Sequence, residues 1–290
     1  MDTWRLGDFT IQRVIEFEKP LLDPCALYPD ATEEAVETHR HWLEPDLLDP
    51  ETGLLILAMH TFVIRTPRHT ILVDTCGGND KNRPGRPRYH MKRWPYLENL
   101  SASGVRPEDV DFVLCTHLHV DHVGWNTTDD NGKLVPTFPN ARYVVHQADL
   151  DHFRRPDVQA AARYPYMDRF IEPLADLGVL DAIAEDTDLT DEVRVLHTPG
   201  HTPGHMSVLI TSGGQKALIQ GDVLIHPAQV THEDWNAIFD GDWDVATQTR
   251  RKLLDEVEAD GTPVISCHFP LPGLGRVIRY EGRRYWQVGL

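Results

Sequence analysis

The six residues at positions 117–122 read HLHVDH and place three histidines and an aspartate one residue after the apolar run FVLC at 112–115. Histidine and carboxylate side chains are common ligands of first-row metal ions, whereas the alternative is a polar loop at a strand end. In extended backbone, His117 and His119 point the same way and can bind one ion. Asp121 and His122 follow a tightening of the chain and need not reach that ion. The spacing therefore indicates two adjacent metal positions.

Further side chains of ligand type follow other apolar runs. The segment HTPGHTPGH at 197–205 comes after VRVL, and its prolines and glycines force turns that can fix a histidine. Asp222 follows ALIQ and a glycine, and His268 follows VISC. Ligands in α/β proteins gather at strand ends and in the loops that follow them. We therefore expect these residues to converge with HLHVDH on one cleft.

The length and the pattern of apolar runs predict a single α/β domain. A chain of 290 residues exceeds the usual domain size, but large α/β sandwiches reach this length, and no linker divides the sequence. With 41% apolar and 25% charged residues, a sizeable core is available. We expect one domain over 1–290, with 1–53 forming an N-terminal strand and a segment that wraps the surface.

Alternating strand and helix patterns predict a layered architecture. A strand with one buried face is expected over 9–17, and a short helix over 33–42. The clearest helix covers 245–259, with Asp244 as candidate N-cap and Gly261 as candidate stop. Further strands are expected over 54–65, 70–74, 112–115, 143–145, 193–196, 207–210, 217–219 and 264–267.

Charge, cysteine content and hydropathy narrow the class of protein. A formal charge of −17 disfavours a nucleic-acid partner, because an acidic chain repels phosphate backbones. The N-terminus lacks a signal pattern and no apolar run could span a bilayer, so we expect a cytoplasmic protein without a membrane partner. The four cysteines are far apart, which favours free and mostly buried thiols.

One basic segment interrupts the acidic background. Residues 81–93 read KNRPGRPRYHMKR, with six lysines or arginines and no acid, just before Trp94 and Tyr96. Such a run is usually a solvated or subunit-contacting loop. The functional alternative is a rim that attracts an anionic substrate group. The rim residues would be Arg88, Arg93, Trp94 and Tyr96.

Taken together, HLHVDH, TPGHTPGH, the GD after an apolar strand and the late histidine resemble the metallo-β-lactamase-fold hydrolase superfamily over roughly 54–270. The resemblance implies a four-layer αβ/βα sandwich with two divalent metal ions at one edge, most often Zn, with Mn, Co or Fe as alternatives. It implies that one ion is held by His117, His119 and His201, the other by Asp121, His122 and His268, and that Asp222 bridges them. Asp74 and His205 would support these ligands. Structural or surface roles are expected for His146, His197, His226 and His232.

The C-terminal stretch CHFPLPGLGRVIRYEGRRYWQV at 267–288 resembles the branch that contains methyl parathion hydrolase and N-acyl homoserine lactonases. The resemblance implies a dinuclear hydrolase of a small-molecule lactone or carboxylic ester, acting through a bridging hydroxide. Asp121 would hold the nucleophile and pass its proton to the leaving group. One departure is Ile225, where many lactonases carry a tyrosine.

Several alternatives stay open. A glyoxalase-II-like thioesterase or a phosphotriesterase would use the same site, and a non-catalytic metal-binding module or a mononuclear iron dioxygenase would belong to another class. The best-known β-lactamases use a cysteine in place of Asp222, and RNA-processing members carry an inserted domain and basic surfaces. The resemblance also allows for a homodimer.

Overall fold

The computed structural model describes residues 3–85, 87–162 and 166–289. Its strands are β1 Thr3–Leu6, β2 Phe9–Leu22, β3 Leu55–Arg65, β4 Thr70–Val73, β5 Phe112–Leu114, β6 Thr127–Asp130, β7 Lys133–Pro136, β8 Arg142–His146, β9 Leu180–Ile183, β10 Thr187–Asp188, β11 Val193–His197, β12 Met206–Ser212, β13 Gln215–Ile219, β14 Val264–Ile265, β15 Leu274–Tyr280 and β16 Arg283–Val288. Its helices are α1 Pro24–Leu27, α2 Glu33–Leu43, α3 Tyr96–Ala102, α4 Gln147–Phe153, α5 Pro156–Ala162, α6 Met167–Phe170, α7 Glu172–Asp176, α8 Ala228–Thr231 and α9 Trp243–Asp260, with a 3₁₀ turn at Pro107–Asp109.

The described residues divide into two compact units. The first comprises the chain up to Phe17 together with Met59–Thr187 and Ser212–Gly214. The second comprises Glu18–Ala58, Asp188–Thr211 and the chain from Gln215 onward. Each unit is built on a seven-stranded mixed sheet, which confirms the expected α/β class.

The sheet of the first unit has the strand order β1-β2-β3-β4-β5-β8-β9. Strands β4, β5, β8 and β9 are parallel neighbours, and the short apolar sequences of β4, β5 and β8 are those of strands covered on both faces. Val63, Leu72, Val113 and Tyr143 contribute to the buried core of this sheet. Asp74 directly follows the carboxyl end of β4, and HLHVDH begins three residues after the end of β5.

The sheet of the second unit follows the chain from β10 to β16, and β13 and β14 are parallel. Asp222 follows β13 and His268 follows β14, so these two residues leave neighbouring strands at the same edge. Helix α9 lies between these strands in the chain and packs Leu253, Leu254 and Val257 into the core. Gly200 is required beside α9, because a Cβ there would lie 2.4 Å from the backbone nitrogen of Ala246.

Several predictions about the elements were wrong in detail. Helix α9 is capped by Asp242, whose Oδ1 accepts a 3.1 Å hydrogen bond from Val245 N, and not by Asp244, which lies in the first turn. Strand β2 extends to Leu22, and Val14 and Glu16 are buried on the face expected to be exposed. The β6–β7 hairpin was missed although the sequence DNG at 130–132 is a hairpin signal.

Two predicted elements, one helix end and the state of the cysteines agree with the structure. Helix α2, strand β3 and the C-terminal stop of α9 at Gly261 lie within a few residues of their predicted bounds. The four cysteines form no disulfide among the described residues, and three of them are buried. Among the described residues, no helix combines the length and the apolar character needed to cross a membrane.

Candidate metal centre

The HLHVDH segment brings imidazole rings together in the first unit. His117 Nε2 lies 2.9 Å from His119 Nδ1, and the ring centroids of His117 and His122 are 4.0 Å apart. His117 and His122 are almost completely buried. Nitrogen lone pairs that converge in a buried site suit a shared cation, so this donor set fits a metal ion.

Asp74 supports two of these histidines from the end of β4. Its Oδ1 accepts a 2.7 Å hydrogen bond from Thr116 N, and its Oδ2 lies 2.8 Å from His122 Nδ1. The Thr116 hydroxyl donates to Asp74 Oδ2 at 2.9 Å and lies 3.1 Å from His117 Nδ1. The Nδ1 atoms of His117 and His122 therefore carry the ring proton, and their Nε2 atoms are left for an ion. Hydrogen bonds behind a metal ligand commonly fix its tautomer in this way.

Buried backbone contacts hold the segment itself. Asp149, at the start of α4, is completely buried and accepts a 3.0 Å hydrogen bond from Leu118 N. Thr75 N donates to His122 O at 2.8 Å. Gly124 must be a glycine, because a Cβ there would lie 2.0 Å from Gly77 O. These contacts fix the course of the chain on both sides of the ligand residues.

In the second unit, two histidines converge on one carboxylate oxygen. His268 Nε2 lies 3.1 Å and His201 Nε2 lies 3.4 Å from Asp222 Oδ2. The other ring nitrogens face acceptors, since His201 Nδ1 is 2.8 Å from Asp240 Oδ1 and His268 Nδ1 is 3.0 Å from Ala58 O. Two Nε2 lone pairs facing a carboxylate repel one another, and a cation removes that repulsion. This set also fits a metal ion.

His205 is a support for Asp222 rather than a ligand in this geometry. Its Nε2 accepts a 2.8 Å hydrogen bond from Asp222 N, and its Nδ1 lies 3.0 Å from Thr198 O. Both ring nitrogens are therefore used within the protein. The contact fixes the backbone of Asp222.

Asp240 is itself held by a buried arginine. Arg250 Nη2 lies 3.2 Å from Asp240 Oδ2, and Arg250 also donates to the carbonyl oxygens of Val223 and Trp235 at 3.0 and 3.1 Å. Burial lowers the pKa of Arg250 from its ordinary value, and Asp240 opposes that shift. The chain Arg250–Asp240–His201 thus orients one candidate ligand from the body of α9.

The basic segment at 81–93 is only partly exposed. Lys81 and Arg83 are buried, and burial lowers the pKa of Lys81 to about 8. Arg93 is exposed and paired with Asp80 at 2.7 Å, and Arg88 is exposed. A solvated loop therefore describes only part of the segment.

The two aromatic residues that were assigned to a substrate rim differ in how far they are buried. Tyr96 is completely buried, bonds the Thr61 hydroxyl at 2.8 Å and stacks on Trp125, which corrects its assignment to the rim. Its ring belongs to the core because α3 begins there and packs against the sheet. Trp94 is half-buried against Phe17, with ring centroids 4.9 Å apart.

Four further histidines have structural contacts, in line with expectation. His146 caps α4 by accepting from Ala148 N at 3.1 Å, and His226 Nε2 donates to Leu47 O at 3.0 Å. The ring of His232 stacks on Trp235 with centroids 3.9 Å apart. His197 is exposed and donates from Nε2 to Pro203 O at 2.9 Å.

The sequence analysis did not identify several residues that support the candidate site. Asp149, Asp240 and Glu16 stand in acid-rich stretches or within a strand, where local spacing carries no signal for them. Tyr89 lies within the basic segment, and its hydroxyl donates to Asp121 Oδ2 at 3.0 Å. Burial, with Asp121 beside it, raises the pKa of Tyr89 well above its ordinary value.

A comparison of the sequence with protein families agrees with this structure of two mixed sheets and of histidine and aspartate donors at strand ends. The model of the metallo-beta-lactamase superfamily matches residues 58–259, and the chain belongs to that superfamily.

Particular relatives carry lactonase and hydrolase names. The chain is 30% identical over 173 residues to the N-acyl homoserine lactonase AttM of Rhizobium radiobacter, a match that spans 54% of this chain and 61% of that protein. It resembles the crystal structure of the hydrolase AbOPH with a TM-score of 0.82 at 25% identity, over 98% of this chain and 95% of that one. It also resembles AidC, a dizinc quorum-quenching lactonase solved with a product, with a TM-score of 0.78 at 22% identity over 100% and 97% of the two chains.

Proposed function

We propose that this protein is a metal-dependent hydrolase that opens a small-molecule lactone. The observation that carries the proposal is the gathering of imidazole nitrogens in each unit, with His117 Nε2 beside His119 Nδ1 in the first and two Nε2 atoms beside Asp222 in the second. The Nδ1 atoms of His117, His201 and His268 are held by protein acceptors. A buried structural histidine commonly uses both nitrogens within the protein, as His205 and His226 do. The family and the lactonase names of its relatives support an ester hydrolase.

The proposed ligands come from both donor sets. Two divalent ions, which the His and Asp donors suit as zinc, would be held by His117, His119, Asp121, His122, His201, Asp222 and His268. That both sets serve the same pair of ions is part of the proposal and rests on the order of the motifs along the chain. When bound, the ions supply hydroxide near neutral pH and polarise the substrate carbonyl.

The protein's own residues would orient the ligands and move the proton. Asp74 and Asp240 hold the rings of His122 and His201 through Nδ1, and His205 holds the backbone of Asp222. Asp121 accepts the proton released on attack and passes it to the alkoxide that leaves when the ring C–O bond breaks. The product is then a hydroxy acid, and the partner is a small molecule.

Lactone is preferred to the other ester classes because of the names of the relatives. Ile225 stands three residues after Asp222, so the chain has no tyrosine there to assist ring opening. An ester, thioester or phosphotriester substrate would use the same nucleophile and the same ligands. The substrate panel below therefore includes each class.

The test combines metal analysis with hydrolysis of lactones, aryl esters, thioesters and phosphotriesters. We expect two divalent ions per chain and the highest kcat/KM with a lactone. His117→Ala and Asp222→Ala should lose nearly all turnover and bound metal yet keep a folded circular dichroism spectrum. His197→Ala is the matched control, since this exposed histidine lies in the same HTPGHTPGH segment as His201. Full activity in His117→Ala or Asp222→Ala without metal would refute the mechanism.

A further inference from the structure

The hydroxyl of Tyr89 donates a 3.0 Å hydrogen bond to Asp121 Oδ2. We propose that Tyr89 is a positioning residue that fixes the orientation of the Asp121 carboxylate, and that the basic segment at 81–93 serves to hold Tyr89 in place. The inference rests on the proposed function, in which Asp121 is a metal ligand and carries the proton.

The two ends of the basic segment are bonded together. Met91 N donates to Lys81 O and Asp80 N donates to Lys92 O, both at 2.9 Å. Just outside these pairs, the Asn79 side chain and the Trp94 backbone exchange two 2.8 Å hydrogen bonds. The segment is therefore closed at its base like a hairpin, with Tyr89 near the closure.

Two cations anchor the segment inside the first unit. Lys81 is 6% exposed, donates from Nζ to Thr127 O at 3.1 Å, and lies 5.0 Å from the ring centroid of Phe170. Arg83 is completely buried, lies 5.2 Å from the same centroid, and donates to Val120 O at 3.3 Å. Val120 directly precedes Asp121, so Arg83 ties the segment to the chain beside its target. Buried cations are retained only where such contacts offset the loss of water.

The tyrosine ring is seated on a glycine backbone. A Cβ at Gly77 would lie 3.2 Å from Tyr89 Cδ1 and 3.0 Å from Glu16 Oε2. Glu16 in turn accepts from Gly77 N at 2.9 Å and from Gly78 N at 3.0 Å, so this backbone is fixed from below. The hydrogen bonds between the ends of the segment and the packing of the ring against Gly77 therefore restrict the position of the Tyr89 hydroxyl.

The consequence concerns the two oxygens of Asp121. A phenol hydroxyl is a donor, so its bond to Oδ2 fixes the rotation of the carboxylate that is proposed to bind the metal. Partners that orient a metal ligand in this way typically change metal affinity or activity about 10- to 100-fold when removed. Loss of the hydroxyl should therefore act on the metal and on turnover, and leave the ground-state binding of substrate unchanged.

The test is Tyr89→Phe, with Tyr143→Phe as the matched control. Tyr143 is a buried tyrosine of the same unit whose hydroxyl bonds Phe138 N and Asn126 O, both at 3.1 Å. Both variants are reconstituted with Co²⁺, and the visible absorption spectrum, the Co²⁺ affinity and the kinetics of lactone hydrolysis are measured. Tyr89→Phe should alter the Co²⁺ spectrum, weaken Co²⁺ binding and lower kcat about 10-fold with KM unchanged. Tyr143→Phe should match wild type in all of these.

A double-mutant cycle with Asp121→Ala, which removes the acceptor of the tyrosine hydroxyl, shows whether the effect passes through Asp121. Adding Tyr89→Phe to Asp121→Ala should change Co²⁺ affinity far less than it does in wild type, because the two residues act as one unit. Fully additive effects, or a Co²⁺ spectrum and kcat equal to wild type in Tyr89→Phe, would overturn the inference. A wild-type protein that binds metal but hydrolyses no lactone would instead contradict the proposed substrate, and the Co²⁺ measurements would still decide the role of Tyr89.

Discussion

The acceptors behind the histidine rings define the candidate centre at the scale of single residues. Each of four histidines places Nδ1 against an oxygen of the protein, so that Nε2 is the nitrogen left for an ion. The four acceptors are Thr116 Oγ1 for His117, Asp74 Oδ2 for His122, Asp240 Oδ1 for His201 and Ala58 O for His268. Such contacts fix the tautomer and the direction of the ring, and an acidic acceptor also makes the ligand more basic.

Asp240 provides a test of whether these acceptors matter for metal binding, at a residue that the sequence analysis did not identify. Asp240→Asn retains the shape but weakens the charge behind His201, and we expect metal affinity and kcat/KM to fall about 10- to 100-fold. Metal titration of the metal-free protein and lactone kinetics measure the two effects. Asp234→Asn is the control, because Asp234 is an exposed aspartate between α8 and α9, as Asp240 is a buried one. Equal metal affinity in the two variants would rule out a role for Asp240 behind His201.

At the scale of elements, α9 shows what a local pattern can and cannot predict. The apolar stripe through Leu253, Leu254 and Val257 and the stop at Gly261 were evident from the sequence, because both depend on residues close along the chain. The N-cap was misplaced by two residues. The sequence DWD at 242–244 contains two aspartates that could each be the N-cap. The extended backbone conformation of Asp242 identifies it as the cap.

The cap can be tested by a matched pair of substitutions. Asp242→Ala removes the side chain that accepts from Val245 N, and we expect a loss of about 1 kcal/mol in the free energy of unfolding. Asp244→Ala, in the first turn, should cost only about 0.3–1 kcal/mol through the helix dipole. Urea denaturation of both variants measures the difference. A larger loss in Asp244→Ala would show that the helix is capped there in solution.

The ligand loops and the basic segment mark the limit of prediction from sequence. Strand-end positions of His117, Asp222 and His268 were predictable, because apolar runs end visibly where those residues begin. The inward course of Lys81 and Arg83 was not, because it depends on Phe170 and Val120, which are remote in the sequence. The support from Asp149 and Asp240 was invisible for the same reason.

At the scale of the whole molecule, the stability of the fold should depend on pH through a buried histidine. His226 is completely buried, donates from Nε2 to Leu47 O and accepts from Ala228 N at Nδ1. Burial lowers the pKa of His226 from 6.5 to about 4, and burial likewise lowers the pKa of half-buried His232 to about 4. The folded state therefore holds these rings neutral at pH values where the unfolded chain protonates them.

The sign of the effect follows from proton binding. Between pH 6.5 and 4 the unfolded chain binds more protons than the folded one, so stability is fully present above pH 6.5 and is lost as the pH falls toward 4. For His226 the shift corresponds to about 3 kcal/mol. His226→Gln should lower stability at neutral pH and flatten the fall of Tm over this range, whereas His41→Gln, at an exposed histidine of α2, should leave the slope unchanged. Parallel Tm curves for wild type and His226→Gln would contradict this assignment.

The most direct test of the central claim is a zinc titration of the metal-free protein, followed by its rate of lactone hydrolysis. The proposed ligand set predicts no turnover without metal, and a rate that rises with added Zn²⁺ and levels off at two ions per chain. Full lactone hydrolysis by the metal-free protein would contradict the proposed mechanism, and so would a rate that levels off at one ion per chain.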